Sequence, residues 1–166
     1  LPEPHYGGQF QDAAIPGIEP EGRVRVDYEP VVMTFADGHE VSLRKPKLTF
    51  SNLAYGEMHP ATLFSARIAP PVIGLGLLES ISDKDLLAHA DPEDDDGDGI
   101  SGRANLVWDR ATETTRIGRF GWKAGQPSLR QQNAEAFAND MGLTSHLVPT
   151  DSCAPSQTEC LALPHG

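Results

Sequence analysis

Arg23-Val24-Arg25-Val26-Asp27-Tyr28-Glu29 sets the fold class, and Pro30-Val31-Val32-Met33-Thr34-Phe35-Ala36-Asp37-Gly38-His39-Glu40-Val41-Ser42-Leu43-Arg44, directly after it, sets the pairing. Charged side chains at 23, 25, 27 and 29 alternate with Val24, Val26 and Tyr28, the period of two that marks a half-buried strand. A second strand covers Val31 to Phe35 and a third Glu40 to Arg44, on either side of Ala36-Asp37-Gly38. A two-residue Asp-Gly turn would set Met33 opposite Ser42 and mix the faces. A three-residue loop with Gly38 in the left-handed region pairs Met33 with Val41 and Val31 with Leu43, which keeps like with like. Leu48 and Phe50 continue the sheet beyond Pro46, so residues 22–50 are β-rich.

Before this region, residues 1–21 read as an irregular arm, with Pro at 2, 4, 16 and 20 and Gly at 7, 8 and 17. After it, residues 60–90 turn helical. Pro70-Pro71 starts a helix filled by Val72, Ile73, Leu75, Leu77, Leu78 and Ile81. Gly74 and Gly76 each cost about 1 kcal/mol against Ala in such a helix, and close backbone packing is the expected compensation. Ser82 then caps a second helix running to about Ala90, with Asp85 three residues on and Ile81 placed to staple onto Leu86. An acidic segment fills 91–105. Within 106–145 a short hairpin (Asn105 to Trp108 with Thr114 to Phe120) precedes a helix from Pro127 to Met141. That helix should turn Leu129, Ala136, Phe137 and Met141 inward and end on Gly142. Residues 146–166 form a tail holding both cysteines. The sum is one α+β module, a small twisted antiparallel sheet packed by several short helices.

Composition narrows the functions. Sixteen Gly and 14 Pro argue against a bundle of long helices. A net charge of −11 disfavours nucleic acid, which is bound by Lys and Arg that displace phosphate counterions. No stretch nears the ~18 apolar residues of a membrane span. The chain opens on Leu1-Pro2-Glu3-Pro4 with no leader, as a mature protein or an excised portion of a longer one would. Six residues separate Cys153 from Cys160. Zinc thiolates prefer two to four between them, so a small disulfide loop is the expectation and two free thiols the alternative. A disulfide implies an oxidising compartment, the periplasm or the exterior.

The acids are not spread evenly: Asp91, Glu93, Asp94, Asp95, Asp96 and Asp98 hold six of the chain's 24. Asp94-Asp95-Asp96-Gly97-Asp98-Gly99-Ile100 has carboxylates at loop positions 1, 3 and 5 and Gly at 6, the first half of an EF-hand-like calcium loop. A hard cation wants six to eight oxygens, and alternate residues of a tight turn can point carboxylates inward together. The carbonyl of Ile100 supplies a further oxygen. Position 12 is Asn105 instead of the bidentate Glu, and the next segment reads as a strand. The loop is therefore no EF-hand, and its remaining ligands would come from Asp91, Glu93, Asn105 or water. The bland alternative is a solvated acidic turn.

Other chemistry is thin. Six His stand at 5, 39, 59, 89, 146 and 165 with no HExxH spacing. Gly74-Leu75-Gly76 lacks the third Gly of a dinucleotide fingerprint, Ser101 lies outside a Gly-x-Ser-x-Gly elbow, and there is no P-loop. Cys-x-x-Cys-His is absent, so this stretch attaches no c-type haem by itself. Met58-His59 is an adjacent pair of axial-ligand types, more simply read as loop residues. Trp122, in Gly118-Arg119-Phe120-Gly121-Trp122-Lys123-Ala124, is either a core anchor or part of a cofactor face.

Four ordered strings carry a resemblance. They are Ser65 to Pro71 running into Ile73 to Glu79, Asp96 to Asn105, Gly118 to Ala124, and Asp140 to Ser145. Together they resemble the bacterial di-haem oxidoreductase family with peroxidase-like activity, over roughly residues 1–160. The resemblance implies an exported, cytochrome c-like electron-transfer protein with two Cys-x-x-Cys-His regions. This chain would be the segment between its flanking haem-binding regions, which would be its partners. It further implies a bound cation at Asp94–Ile100 and a surface of Trp122 with Arg119 facing the haem region, with Trp122 as an electron relay by analogy. Haem c would belong to the parent protein and calcium to this chain. The rival reading is a calcium-stabilised extracytoplasmic binding or structural module with no redox role.

Overall fold

The period-2 stretch folds into one long hairpin. In this computed structural model, which describes residues 2–164, strand β1 runs unbroken over Arg23–Thr34 and β2 over Glu40–Ser51. Leu1, His165 and Gly166, the ends of the expected arm and tail, lie outside the described residues. Two strands thus replace the three that the break at Pro30 suggested. The pairing is the expected one: Met33 faces Val41, Val31 faces Leu43, and Leu48 and Phe50 continue the ladder opposite Val26 and Val24. Gly38 closes the loop at φ 84°, donating its N–H to Phe35 O (2.9 Å) while Phe35 N–H donates to His39 O (2.9 Å).

Those two bonds fix the parity of the ladder. Odd-numbered residues of β1 exchange hydrogen bonds with β2, and even-numbered ones point their N–H and C=O outward. Pro30 and Pro46 both fall on even rows, where no ladder N–H is needed. The apolar face also changes sides along the ribbon. Near the base it is Val24, Val26 and Tyr28 with Leu48 and Phe50; beyond Pro30 it is Val31, Met33 and Phe35 with Val41 and Leu43.

Backbone contacts gather the chain into two units, one of residues up to Ile68 together with Ser152–Pro164, the other Ala69–Asp151. In the first, the arm is fastened by one acid and one phenol. Glu3 accepts N–H bonds from His5 (2.6 Å), Tyr6 (2.7 Å) and His59 (2.9 Å). The Tyr6 hydroxyl donates to Gly56 O (2.6 Å) and accepts from Tyr55 N–H (3.1 Å). Phe10 packs edge-on to Phe50, with ring centroids 5.1 Å apart. The expected carboxy-terminal tail is divided: Leu147 and Val148 join the core of the second unit, while Ser152–Pro164 belongs with the arm. There it forms a short helix that sequence reading missed, α4, Thr158–Ala162.

In the second unit the Pro70-Pro71 helix is shorter than expected. Here α1 covers only Leu75–Ser80, because Gly74 sits at φ 85° as a left-handed N-cap. Nothing lies within 4 Å of a Cβ built on Gly74 or Gly76, so close packing is not their compensation. The capping box holds: Ser82 Oγ accepts from Asp85 N–H (3.1 Å) at the head of α2, Asp83–Ala88. Strands β3 (Leu106–Asp109) and β4 (Thr114–Ile117) form the expected hairpin, which makes a second small sheet. Helix α3 spans Leu129–Met141, capped by Ser128 and ended by Gly142 in the left-handed region. Pro127 lies one residue before the cap. The inward face of α3 is Gln131, Ala134 and Ala138, whereas Phe137 and Met141 are exposed. The α+β class stands, with two small sheets and four short helices among the described residues.

Candidate metal centre

The acidic loop is tied at its ends by one backbone bond and one from a guanidinium. Asp91 N–H donates to Gly102 O at 2.8 Å, and Arg103 Nη2 donates to Pro92 O at 2.6 Å. Inside, the carboxylates organise the turn that carries them. Asp91 accepts from the N–H of Asp95 (2.9 Å) and Asp96 (3.4 Å). Asp94, itself at φ 59°, accepts from Gly99 N–H at 3.0 and 3.2 Å. Asp96 accepts from Asp98 N–H (3.1 Å) and Asp98 from Ile100 N–H (2.8 Å). Carboxylate oxygens of Asp91, Asp94 and Asp96 lie within 4.8 Å of one another.

That trio keeps Asp94 and Asp96 from the expected set and draws in Asp91. Asp98 and Glu93 are not in it. Asn105 braces the next turn: its Nδ2 donates to the carbonyls of Lys123 (3.1 Å) and Ala124 (3.0 Å). Three carboxylates this close, two half-buried and one exposed, offer only oxygen donors, the ligand type of a hard cation and not of a soft metal.

The Gly118–Ala124 segment follows from steric necessity at one end. A Cβ on Gly118 would sit 1.8 Å from Ala124 O, so only glycine lets the turn close. Phe120, at 2% exposure, is the anchor of this segment, while Trp122 is 61% exposed. The core-anchor reading of Trp122 therefore passes to Phe120. Arg119 is occupied within the unit: its guanidinium donates to the carbonyls of Leu78 (3.0 Å), Glu79 (3.3 Å) and Ile81 and to the Asp83 carboxylate. A cation on the last carbonyls of α1 completes that helix end.

In the first unit, Met58 and His59 line a cleft of about 570 Å³ between the arm and residues 58–64. His59 Nδ1 accepts from Ala61 N–H (3.2 Å), the bond of a turn residue. A histidine that ligates iron through Nε2 normally donates from Nδ1, so this geometry favours the loop-residue reading. Cys153 and Cys160 are joined as a disulfide, as expected.

A family described as "Di-haem oxidoreductase, putative peroxidase" matches residues 8–160, nearly the whole chain. The chain belongs to this family. No curated protein and no solved structure matches it. The family's description implies haem in the parent protein, and the residues of this chain do not fit its covalent attachment. Attachment of c-type haem needs two thiols in Cys-x-x-Cys-His, and the two cysteines here are seven positions apart and bonded to each other. Among the described residues no helix is long and apolar enough to cross a membrane.

Sequence reading passed over the polar groups that hold both units. Asp109 and Gln131 are buried in the second, and Glu21 and Gln157 in the first. Gln131 bridges Trp108 O (3.0 Å), Gln126 Oε1 (2.9 Å) and Arg110 N–H (2.8 Å), joining β3 to α3. Periodicity has no signal for such residues, since it looks for apolar side chains on the inner face.

Proposed function

We propose that this chain is the haem-free scaffold of an exported di-haem oxidoreductase, holding flanking haem-binding regions while the haems perform the redox chemistry. The observation that carries the reading is the pairing of a family match over residues 8–160 with cysteines already joined in a disulfide. Covalent haem must then be held by residues outside this sequence. The disulfide also supports an extracytoplasmic location, periplasmic or secreted, where such bonds persist. Exposed Trp122 is the residue through which this segment would meet a haem region. Expressed alone in a haem-maturing host, the chain should be colourless, while the full gene product should show Soret and α bands. A stoichiometric covalent haem on this chain would overturn the scaffold reading.

Calcium at Asp91, Asp94 and Asp96 is the second part of the proposal. The remaining oxygens would come from Asp98, the Ile100 carbonyl or water. Without the bidentate Glu of a sensor loop, affinity should lie at the weak end, on the order of 10⁻⁴ M. At ~2 mM free calcium, mass action then adds about 1.8 kcal/mol to the folded state, or roughly 4–7 °C in melting temperature for a chain of this size. Asp96→Asn keeps an acceptor for Asp98 N–H and should erase that shift. Melting curves that coincide in calcium and in EGTA would leave the loop a solvated acidic turn.

A further inference from the structure

The outer edge of β1 is self-complementary, and we propose that it pairs antiparallel with β1 of a second copy of this chain about a two-fold axis at Val26. Among the described residues each sheet has two strands, so β1 has one edge in the ladder with β2 and one open. The open edge presents the N–H and C=O of Val24, Val26 and Tyr28, the even positions.

Placing Val26 opposite Val26 of the second copy decides every other row. Val24 then faces Tyr28 and Tyr28 faces Val24, and all three rows are of the hydrogen-bonded kind because all use even residues. The intervening rows set Arg23 against Glu29 and Arg25 against Asp27, twice each by symmetry. These are the narrow, non-bonded rows, where side chains come closest and opposite charges gain most. Pro30, with no N–H to give, ends the ladder where the charge pattern ends. The product is a four-stranded sheet with apolar Val24, Val26 and Tyr28 on one face and alternating ion pairs on the other.

The charged side chains involved are exposed and hold exchangeable partners; Glu29 stands 3.8 Å from Lys47, an exposed pair of small worth. Arg25 and Asp27 are 78% and 46% exposed and now pair along their own strand at 2.8 Å, a contact that exchanges for the cross-copy one. The opposite edge of the ribbon cannot do the same. Its outward positions include Pro46 in the middle of β2, and a symmetric pairing about that residue would set Lys45 against Lys47. Proline and lysine are how natural edges are closed to strangers. One edge carries both devices and the other carries neither between Gly22 and Glu29.

Sedimentation velocity on the chain over a concentration series tests this. Wild type should show reversible monomer–dimer exchange. Arg25→Asp places four acids across the dyad rows and should raise the dissociation constant ~10-fold or more. Asp27→Arg should do the same in the opposite sense, and the double swap R25D/D27R should restore the dimer. Val26→Pro removes the outward N–H at the axis without touching the bonds to β2, and should leave a monomer. Amide exchange supplies a readout independent of any variant: Val24, Val26 and Tyr28 should slow as concentration rises. A wild type that stays monomeric throughout, a dimer indifferent to R25D, or a swap that fails to restore pairing would each overturn the proposal.

Discussion

Glu21 in the first unit and Asp109 in the second are both almost fully buried, at 5% and 2% exposure, yet they are held by different kinds of donor. Glu21 accepts from Gln11 N–H at 2.6 Å and from the Gln157 side-chain amide, both neutral. Burial dominates, and its pKa is pushed up in spite of those bonds, with nearby Glu3 pushing the same way. Burial also raises Asp109, but the N–H of Ala111 (2.9 Å), Arg116 Nη1 (3.2 Å) and the contacts with Thr112 outweigh it, and the pKa ends below the ordinary value. A carboxylate with a cation and several donors stays ionised in the interior; one with two amides resists ionisation. The buried acid of the second unit is thus helped to ionise by its surroundings, and that of the first is hindered.

The largest effect should come from the second unit. Gly118→Ala drives a Cβ to within 1.8 Å of a backbone carbonyl, which no side-chain rotation relieves. We expect a loss of about 3 kcal/mol or more in a urea melt, with amide protection collapsing first in β3, β4 and α3. A variant within 1 kcal/mol of wild type would show that the Gly118–Ala124 turn closes differently. The next effect falls on the first unit. Replacing both cysteines by serine releases a short loop and should cost ~2.5 kcal/mol by loop entropy. It should loosen the Glu21–Gln157 contact more than any amide of the second unit, and equal loss in both units would erase the contrast drawn here.

What could be read from sequence divides along the same line between local and distant. The Gly38 loop, the Ser82 capping box and the Gly142 stop are each decided within a few residues, and all were legible. The acidic loop was legible as a cluster, and Asp91, Asp94 and Asp96 all stood among its candidate ligands; which of the candidates approach one another was not legible. Asp91 reaches it because a backbone bond to Gly102 folds the loop back on itself, a closure that spacing alone does not reveal. Helix α3 misled because its inner face is one glutamine and two alanines, so the large apolar residues that periodicity follows lie outside. Glu21 and Gln157 stand 136 positions apart, and no local pattern links them.

Asp109→Asn should cost about 2 kcal/mol at pH 7, less than a fully buried ion pair because Arg116 is 43% exposed and rehydrates. Its sharper signature is pH dependence. A folded pKa below the unfolded value of ~3.9 gives stability that is present above that pH and lost as pH falls through the folded pKa. Wild type should weaken faster than the Asn variant on acidification below about pH 4. Parallel acid profiles would mean that folding leaves the pKa of Asp109 where it stands in the unfolded chain.

Glu21→Gln reverses that sign and is the smallest and most discriminating change. With the folded pKa above the unfolded one, the native state binds the extra proton between the two values, so stability falls as pH rises through that window. Wild type should therefore gain stability as pH drops from neutrality toward ~4.3, the unfolded glutamate value, and the Gln variant should lack this gain. The variant also forfeits one acceptor, since glutamine has a single carbonyl oxygen for the two donors from Gln11 and Gln157. That loss is the same at every pH and shifts the whole curve. Only the difference in slope between the two proteins reports Glu21, because all other acids cancel in the comparison. Urea midpoints between pH 4.5 and 7 that differ by a constant offset would place Glu21 among ordinary carboxylates and remove the contrast with Asp109.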